Sequence, residues 1–155
     1  MSDLRELYQE VILDHSRQPR NFRRPDHANR EAKGDNPLCG DKVAVFLTIE
    51  DGKVADVGFQ GRGCAISMAS ASLMTEIVKG KSEAEARALF ESFHDEMTGK
   101  GTCHGAAAGE LDKLTVLSGV REYPMRVKCA TLSWHTLMAA LNKAQTVSTE
   151  SDDRL

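Results

Sequence analysis

Residues 43–59 constrain this chain more than any other stretch. Val43, Val45, Leu47 and Ile49 alternate with other residues, Asp51-Gly52 interrupts, and Ala55, Val57 and Phe59 resume the alternation. An apolar period of two marks half-buried strands, and Asp-Gly is a two-residue turn signal. The pattern predicts an antiparallel hairpin whose two outer ends lie side by side. The segment before the first strand therefore meets the segment after the second. Both are turn sequences that carry a cysteine: Asn36-Pro37-Leu38-Cys39-Gly40-Asp41 before the hairpin and Gly61-Arg62-Gly63-Cys64 after it.

In the first turn a thiol and a carboxylate stand two residues apart. Gly40 between them admits backbone conformations closed to other residues, so the Cys39 sulfur and an Asp41 oxygen can converge on one ion. Cys64 falls at the start of a predicted helix, where unpaired N–H groups and the helix dipole favour a thiolate. Cys129, in Arg126-Val127-Lys128-Cys129, falls in the first turns of another. Three thiols and a carboxylate make a tetrahedral zinc set. Free cysteine is also among the most buried residue types, but the Pro/Gly turn, the Gly-x-Gly and the basic neighbours do not resemble core settings. Four such ligands outweigh the charge of a divalent ion, and Arg126 and Lys128 would offset the excess or steer an incoming anion or persulfide. The fourth cysteine, Cys103, sits beside His104 in a glycine-rich segment. An incidental exposed thiol is the better reading there than a ligand pair.

The rest of the chain reads as helices. Leu4, Leu7, Tyr8, Val11 and Ile12 predict a helix over residues 3–16, stopped by Pro19. Another runs from Ala65 to Lys79 and ends at Gly80, with Ser67, Ser70, Ser72 and Thr75 as small residues that let it pack closely. Ser82 and Glu85 form a capping box for a third, ending near Thr98. Leu111, Leu114 and Leu117 suggest a short helix, and Tyr123-Pro124 opens the last, in which His135 reads as structural. Residues 17–35 show no periodicity and are expected to be a surface loop, whose Arg17, Arg20, Arg23 and Arg24 are a solvated cluster or a dock for an acidic partner. At 155 residues the chain fits one domain over residues 1–145, with 146–155 a disordered acidic tail. A net charge of −3 and the lack of aromatic–basic interleaving argue against nucleic acid as a partner. No apolar run reaches the roughly 20 residues of a membrane span, and residues 1–15 lack a signal-peptide core, so a cytoplasmic location is expected.

Four segments together resemble the U-type iron–sulfur scaffold family: Leu7–His15 with Pro19–Phe22, Asn36–Asp41, Gly61–Ser67 and Arg126–Ala130. The branch they most resemble is that of the zinc-dependent SufU sulfurtransferases. IscU-like scaffolds carry a histidine directly before the last motif cysteine, where this chain has Lys128, and have a shorter span between the last two motif cysteines. The resemblance implies an α+β fold, a small and mostly antiparallel sheet with helices packed on one face. It implies Zn(2+) held by Cys39, Asp41, Cys64 and Cys129, with Cys39 taking persulfide sulfur from a SufS-type cysteine desulfurase and relaying it to downstream iron–sulfur assembly proteins. A scaffold holding iron or a [2Fe–2S] cluster on the same residues, and a binding module with purely structural zinc, remain the alternatives.

Overall fold

The computed structural model of the chain describes residues 2–37, 40–98, 117, 123–142 and 146–148. Its elements in order are α1 (Ser2–Arg17), β1 (Arg30–Asn36), β2 (Asp41–Glu50), β3 (Lys53–Arg62), α2 (Ala65–Val78), α3 (Glu83–Thr98), α4 (Pro124–Leu141) and β4 (Thr146–Ser148). The strands form one sheet in the order β3-β2-β1-β4, antiparallel except for β4, which runs parallel to β1. The fold is α+β, with the helices on one face of this sheet.

The hairpin forms as expected, turning at Asp51-Gly52 with both residues at positive φ. Period two sorts its side chains. Val43, Val45 and Leu47 face inward with Val57 and Phe59 and pack in one core with Met74 and Ile77 of α2 and Trp134 and Leu137 of α4, and Asp41 ends the same inward row of β2. Phe93 of α3 packs on Trp134 with ring centroids 5.2 Å apart. Helix α2 is buried on nearly all sides, between α1 and α4 and over β3, which is why its sequence lacks a polar stripe. Ser82 Oγ accepts from Glu85 N–H, and a Glu85 carboxylate oxygen accepts from Ser82 N–H, so the expected capping box opens α3.

Two stretches depart from the expectation. Residues 30–36, read as the end of a surface loop and, at Asn36, the start of the cysteine-bearing turn, form β1, paired with β2 from Arg30↔Leu47 to Asn36↔Asp41. Its inward positions are Ala32, Gly34 and Asn36, so alternation is present in burial but absent in hydrophobicity. Residues 146–148, read as the start of the tail, pair with Lys33–Asp35 as β4.

The remaining loop before β1 is pinned. Arg20 N–H donates to Ser72 Oγ at 2.9 Å, Asn21 Nδ2 donates to Thr75 Oγ1 at 3.0 Å, and Phe59 N–H donates to the Asn21 carbonyl at 3.0 Å. Gly58 accommodates the crossing, since a Cβ there would overlap the Arg23 carbonyl oxygen. The outer edge of β3 is thus covered, which removes a template for edge-to-edge pairing. No helix among the described residues is long and apolar enough to cross a membrane.

Candidate metal centre

The helix-side end of the sheet gathers three of the residues singled out from the sequence. One carboxylate oxygen of Asp41, Cys64 Sγ and Cys129 Sγ all lie within 4.8 Å of one another. Asp41 reaches the place because it ends the inward row of β2, Cys64 because it caps α2, and Cys129 because α4 lays its second turn over the end of β1 and β2. Asp41 and Cys129 are buried and Cys64 is half-buried. Cys39 belongs to the connection between Asn36 and Asp41 and lies outside the described residues, as do Cys103 and His104. The described flanks of Cys39 are closed by Gly40 N–H donating to the Asn36 carbonyl at 2.8 Å, with Gly40 at φ +75°.

Hydrogen bonds orient the donors. Asp41 Oδ1 accepts from Cys64 N–H at 2.9 Å, leaving Oδ2 toward the Cys64 sulfur at 3.8 Å. Cys64 Sγ accepts from Ser67 N–H at 3.4 Å across the first turn of α2. Asn36 Nδ2 points at Cys129 Sγ from 3.9 Å, and Asn36 is itself buried. The Arg126 guanidinium, one turn before Cys129, stands against both sulfurs and is held above its ordinary pKa by the charge of Cys64 first and of Cys129 second.

The two thiols share a proton unequally. Cys64 is drawn down to about 6, chiefly by the hydrogen bond from Cys129, with the Ser67 N–H helping. Cys129 is pushed up, because it supplies that hydrogen bond, because it is buried and because Asp41 is close. Cys64 is thus the sulfur that more readily loses its proton and Cys129 the one that keeps it, with an arginine facing both. The set suits a thiophilic divalent cation: two soft sulfurs and one oxygen of tetrahedral-site type, partly buried, with a backbone donor already fixing the carboxylate.

Two contributors were not singled out as site residues from sequence. Asn36 stands within the quoted hexapeptide, and its signal is a buried amide at the end of a strand. Gly63 precedes Cys64, and a Cβ there would lie 2.6 Å from Asp41 Oδ1. The serines of α2 also do more than give close packing: Ser70 Oγ donates to the Ala130 carbonyl, and Ser72 Oγ lies 2.7 Å from His15 Nδ1. Arg20 pairs with Asp14, Arg23 with Asp56 and Arg24 with Glu31, so most of the loop's arginine cluster is neutralised within the molecule.

The model of the NifU-like N terminal domain matches residues 7–145. The chain belongs to this family. Among curated family members, it is 37% identical over 144 residues to the iron–sulfur cluster assembly scaffold protein IscU of Streptococcus pyogenes serotype M1, covering 93% of this chain and 88% of the relative. It is 38% identical over 144 residues to the zinc-dependent sulfurtransferase SufU of Bacillus subtilis strain 168, covering 93% and 95%. A family crystal structure from Fervidobacterium islandicum AW-1, described as a cluster assembly scaffold protein for the SUF system, superposes with a TM-score of 0.76 at 35% identity, over 85% of this chain and 94% of that one. The IscU/SufU fold assigned from the sequence motifs is therefore the fold of this chain, and its family is that of iron–sulfur cluster assembly proteins.

Proposed function

We propose that this protein is a cytoplasmic zinc-dependent sulfurtransferase of iron–sulfur cluster biogenesis, which takes sulfur from a cysteine desulfurase and passes it on. The observation that supports this reading best is the meeting of Asp41, Cys64 and Cys129 beside Arg126. Zinc would be held by these three residues with Cys39 as the fourth ligand, and bound zinc keeps its sulfur ligands deprotonated. Arg126 offsets the negative charge and attracts an anionic persulfide. Ser67 N–H, Asn36 and Gly63 keep the ligand atoms in place.

In the transfer itself, the Cys39 thiolate attacks the terminal sulfur of the desulfurase's cysteine persulfide. A new S–S bond forms at Cys39, the donor's S–S bond breaks, and the donor leaves as a thiolate with no net change in oxidation state. Lys128, where cluster-holding scaffolds carry histidine, favours zinc over a cluster, while the IscU names among the relatives keep the scaffold as the second reading.

Metal analysis and an absorption spectrum of protein purified without oxygen test the choice. One zinc per chain and no visible absorption are expected. Stoichiometric iron and sulfide with a visible charge-transfer band would replace the sulfurtransferase with the scaffold.

A further inference from the structure

The sheet's other face carries a feature that neither the metal centre nor the fold requires. Register places its outward side chains in rows: Glu31–Phe46–Gly58, then Lys33–Ala44–Gln60, then Asp35–Lys42–Arg62. The first row is covered, with Arg24 stacked on the Phe46 ring at 5.0 Å and the loop crossing Gly58. No described residue covers the other two. They line a depression of about 570 Å³ whose floor is Ala44 and the backbone of Gly34, Val43 and Gly61.

Charge on this open part is unbalanced. Lys33, Lys42 and Arg62 are exposed, and none forms an ion pair with a carboxylate among the described residues, whereas Arg20, Arg23, Arg24, Arg30 and Lys79 all do. Lys42 and Arg62 are direct cross-strand partners. Like charges directly opposite each other destabilise an antiparallel pair; Asp35, opposite Lys42 on β1, offsets part of that repulsion and leaves the open rows with three cations to one carboxylate. They occur in a chain of net charge −3. Each also adjoins the metal centre in sequence: Lys42 comes directly after Asp41, and Arg62 precedes Gly63-Cys64.

We propose that this open face is a docking surface for an extended acidic segment of a partner protein. Alternate side chains of an extended peptide repeat at about 6.8 Å, and strands in the sheet lie about 4.8 Å apart. Carboxylates at alternate positions of such a segment can therefore reach the rows of Lys33 and of Lys42 with Arg62, while Gln60 offers an amide at the far end of the Lys33 row. The small floor of Ala44 and two glycines admits a peptide backbone closely. An aromatic platform for stacking bases is missing from the open rows, as is an apolar anchor for a membrane. The inference stands on register and charge, and holds whichever metal the centre carries.

Binding of a short fluorescein-labelled peptide of alternating glutamate and serine to the full-length protein, with nuclear magnetic resonance of the same complex, tests it. The amides of Lys33, Lys42, Ala44, Gln60 and Arg62 are expected to shift. Affinity should fall with added salt, should fall about tenfold or more in Lys42→Gln/Arg62→Gln protein as two counter-charges are lost, and should be unchanged in Arg17→Glu. The neutral double variant removes the Lys42–Arg62 repulsion together with the Lys42–Asp35 attraction and is expected to melt close to the parent. Unchanged peptide affinity in a folded double variant, shifts confined to another surface, or tighter binding of a single-stranded oligonucleotide of equal charge would each overturn the proposal.

Discussion

Gly63 lies against the Asp41 side chain with no room for a Cβ of its own. A methyl group at residue 63 would stand 2.6 Å from Asp41 Oδ1 and 3.2 Å from its Cβ. The same Oδ1 accepts the Cys64 N–H, so the carboxylate is clamped between residues 63 and 64. Gly63→Ala should displace it while sparing the core. Groups that orient metal ligands typically change affinity by roughly 10–100-fold when altered. A loss of that size is expected in a competitive zinc titration, with a far-ultraviolet dichroism spectrum unchanged from the parent. Parent-like zinc affinity would show that Asp41 does not bind the metal.

Removing ligands one at a time gives a second expectation. Cys64→Ala, Cys129→Ala, Asp41→Ala and Cys39→Ala should each lower zinc content after dialysis against a chelator, and Cys103→Ala should not. Chelation itself should lower stability without unfolding the chain, since Trp134, Phe59, Phe93 and Leu47 are fully buried without help from a metal. A zinc finger, which has no such core, unfolds instead. Loss of the folded dichroism signal on chelation would contradict this.

The hairpin, the four described helices and the Cys64 helix start were legible because each rests on a local rule: period two around Asp51-Gly52, the Ser82/Glu85 box, Pro124 at a helix start. β1 was not legible, because the inward side chains that would have marked it are Ala32, Gly34 and Asn36, small or polar residues chosen by what packs on them. β4 was missed for a related reason. Three residues of strand carry no period, and pairing with Lys33–Asp35 exists only once the chain has folded. At the candidate metal centre Asp41, Cys64 and Cys129 could be picked out from their neighbours in sequence, but Asn36, Gly63 and the contact of Arg126 with both sulfurs depend on distances that span the fold. The short helix expected at Leu111–Leu117 lies outside the described residues except for Leu117, which is buried.

His15 provides a pH-dependent hold on the loop. It is 7% exposed, its Nδ1 is 2.7 Å from Ser72 Oγ, and that hydroxyl also accepts from Arg20 N–H. Burial holds the imidazole below its ordinary 6.5, Arg20 adds to that, and Glu76 and Asp14 oppose it. A histidine depressed on folding binds its proton more readily in the unfolded chain. Its share of stability is therefore present above 6.5 and is lost as pH falls through that value and through the lower folded-state pKa. Urea midpoints should decline over this window in the parent and decline less in His15→Gln. Parallel curves would remove His15 from the account.

Ser72 itself should be costly to lose. Ser72→Ala deletes the shared partner of His15 and of the Arg20 amide, and two hydrogen bonds at about 1 kcal/mol each predict a destabilisation of roughly 2 kcal/mol. Ser82→Ala, which removes only the capping hydroxyl of α3, should cost about 1 kcal/mol. Chemical denaturation of the two variants under identical conditions checks both the sizes and their order. A Ser72 variant no less stable than the Ser82 variant would mean that the loop is not held through this hydroxyl.

Relay and structural zinc make different demands on the ligands. If the metal only braced the fold, Cys39→Ala and Cys129→Ala would fail alike, through reduced stability. Sulfur transfer requires one ligand to serve as acceptor, and Cys39 is placed for it by sequence. In the sequence it falls between Pro37 and Gly40, both exposed, whereas Cys64 is tied into a helix cap and Cys129 is buried. After incubation with a cysteine desulfurase and cysteine, an alkylating mass tag should place the persulfide on Cys39 alone. Arg126→Gln should slow that loading while leaving zinc content intact, because the guanidinium faces the sulfurs without being a ligand; Arg126→Lys should restore part of the rate by keeping the charge. Persulfide found on Cys64, Cys103 or Cys129, or full transfer by zinc-loaded Cys39→Ala protein, would exclude Cys39 as the carrier.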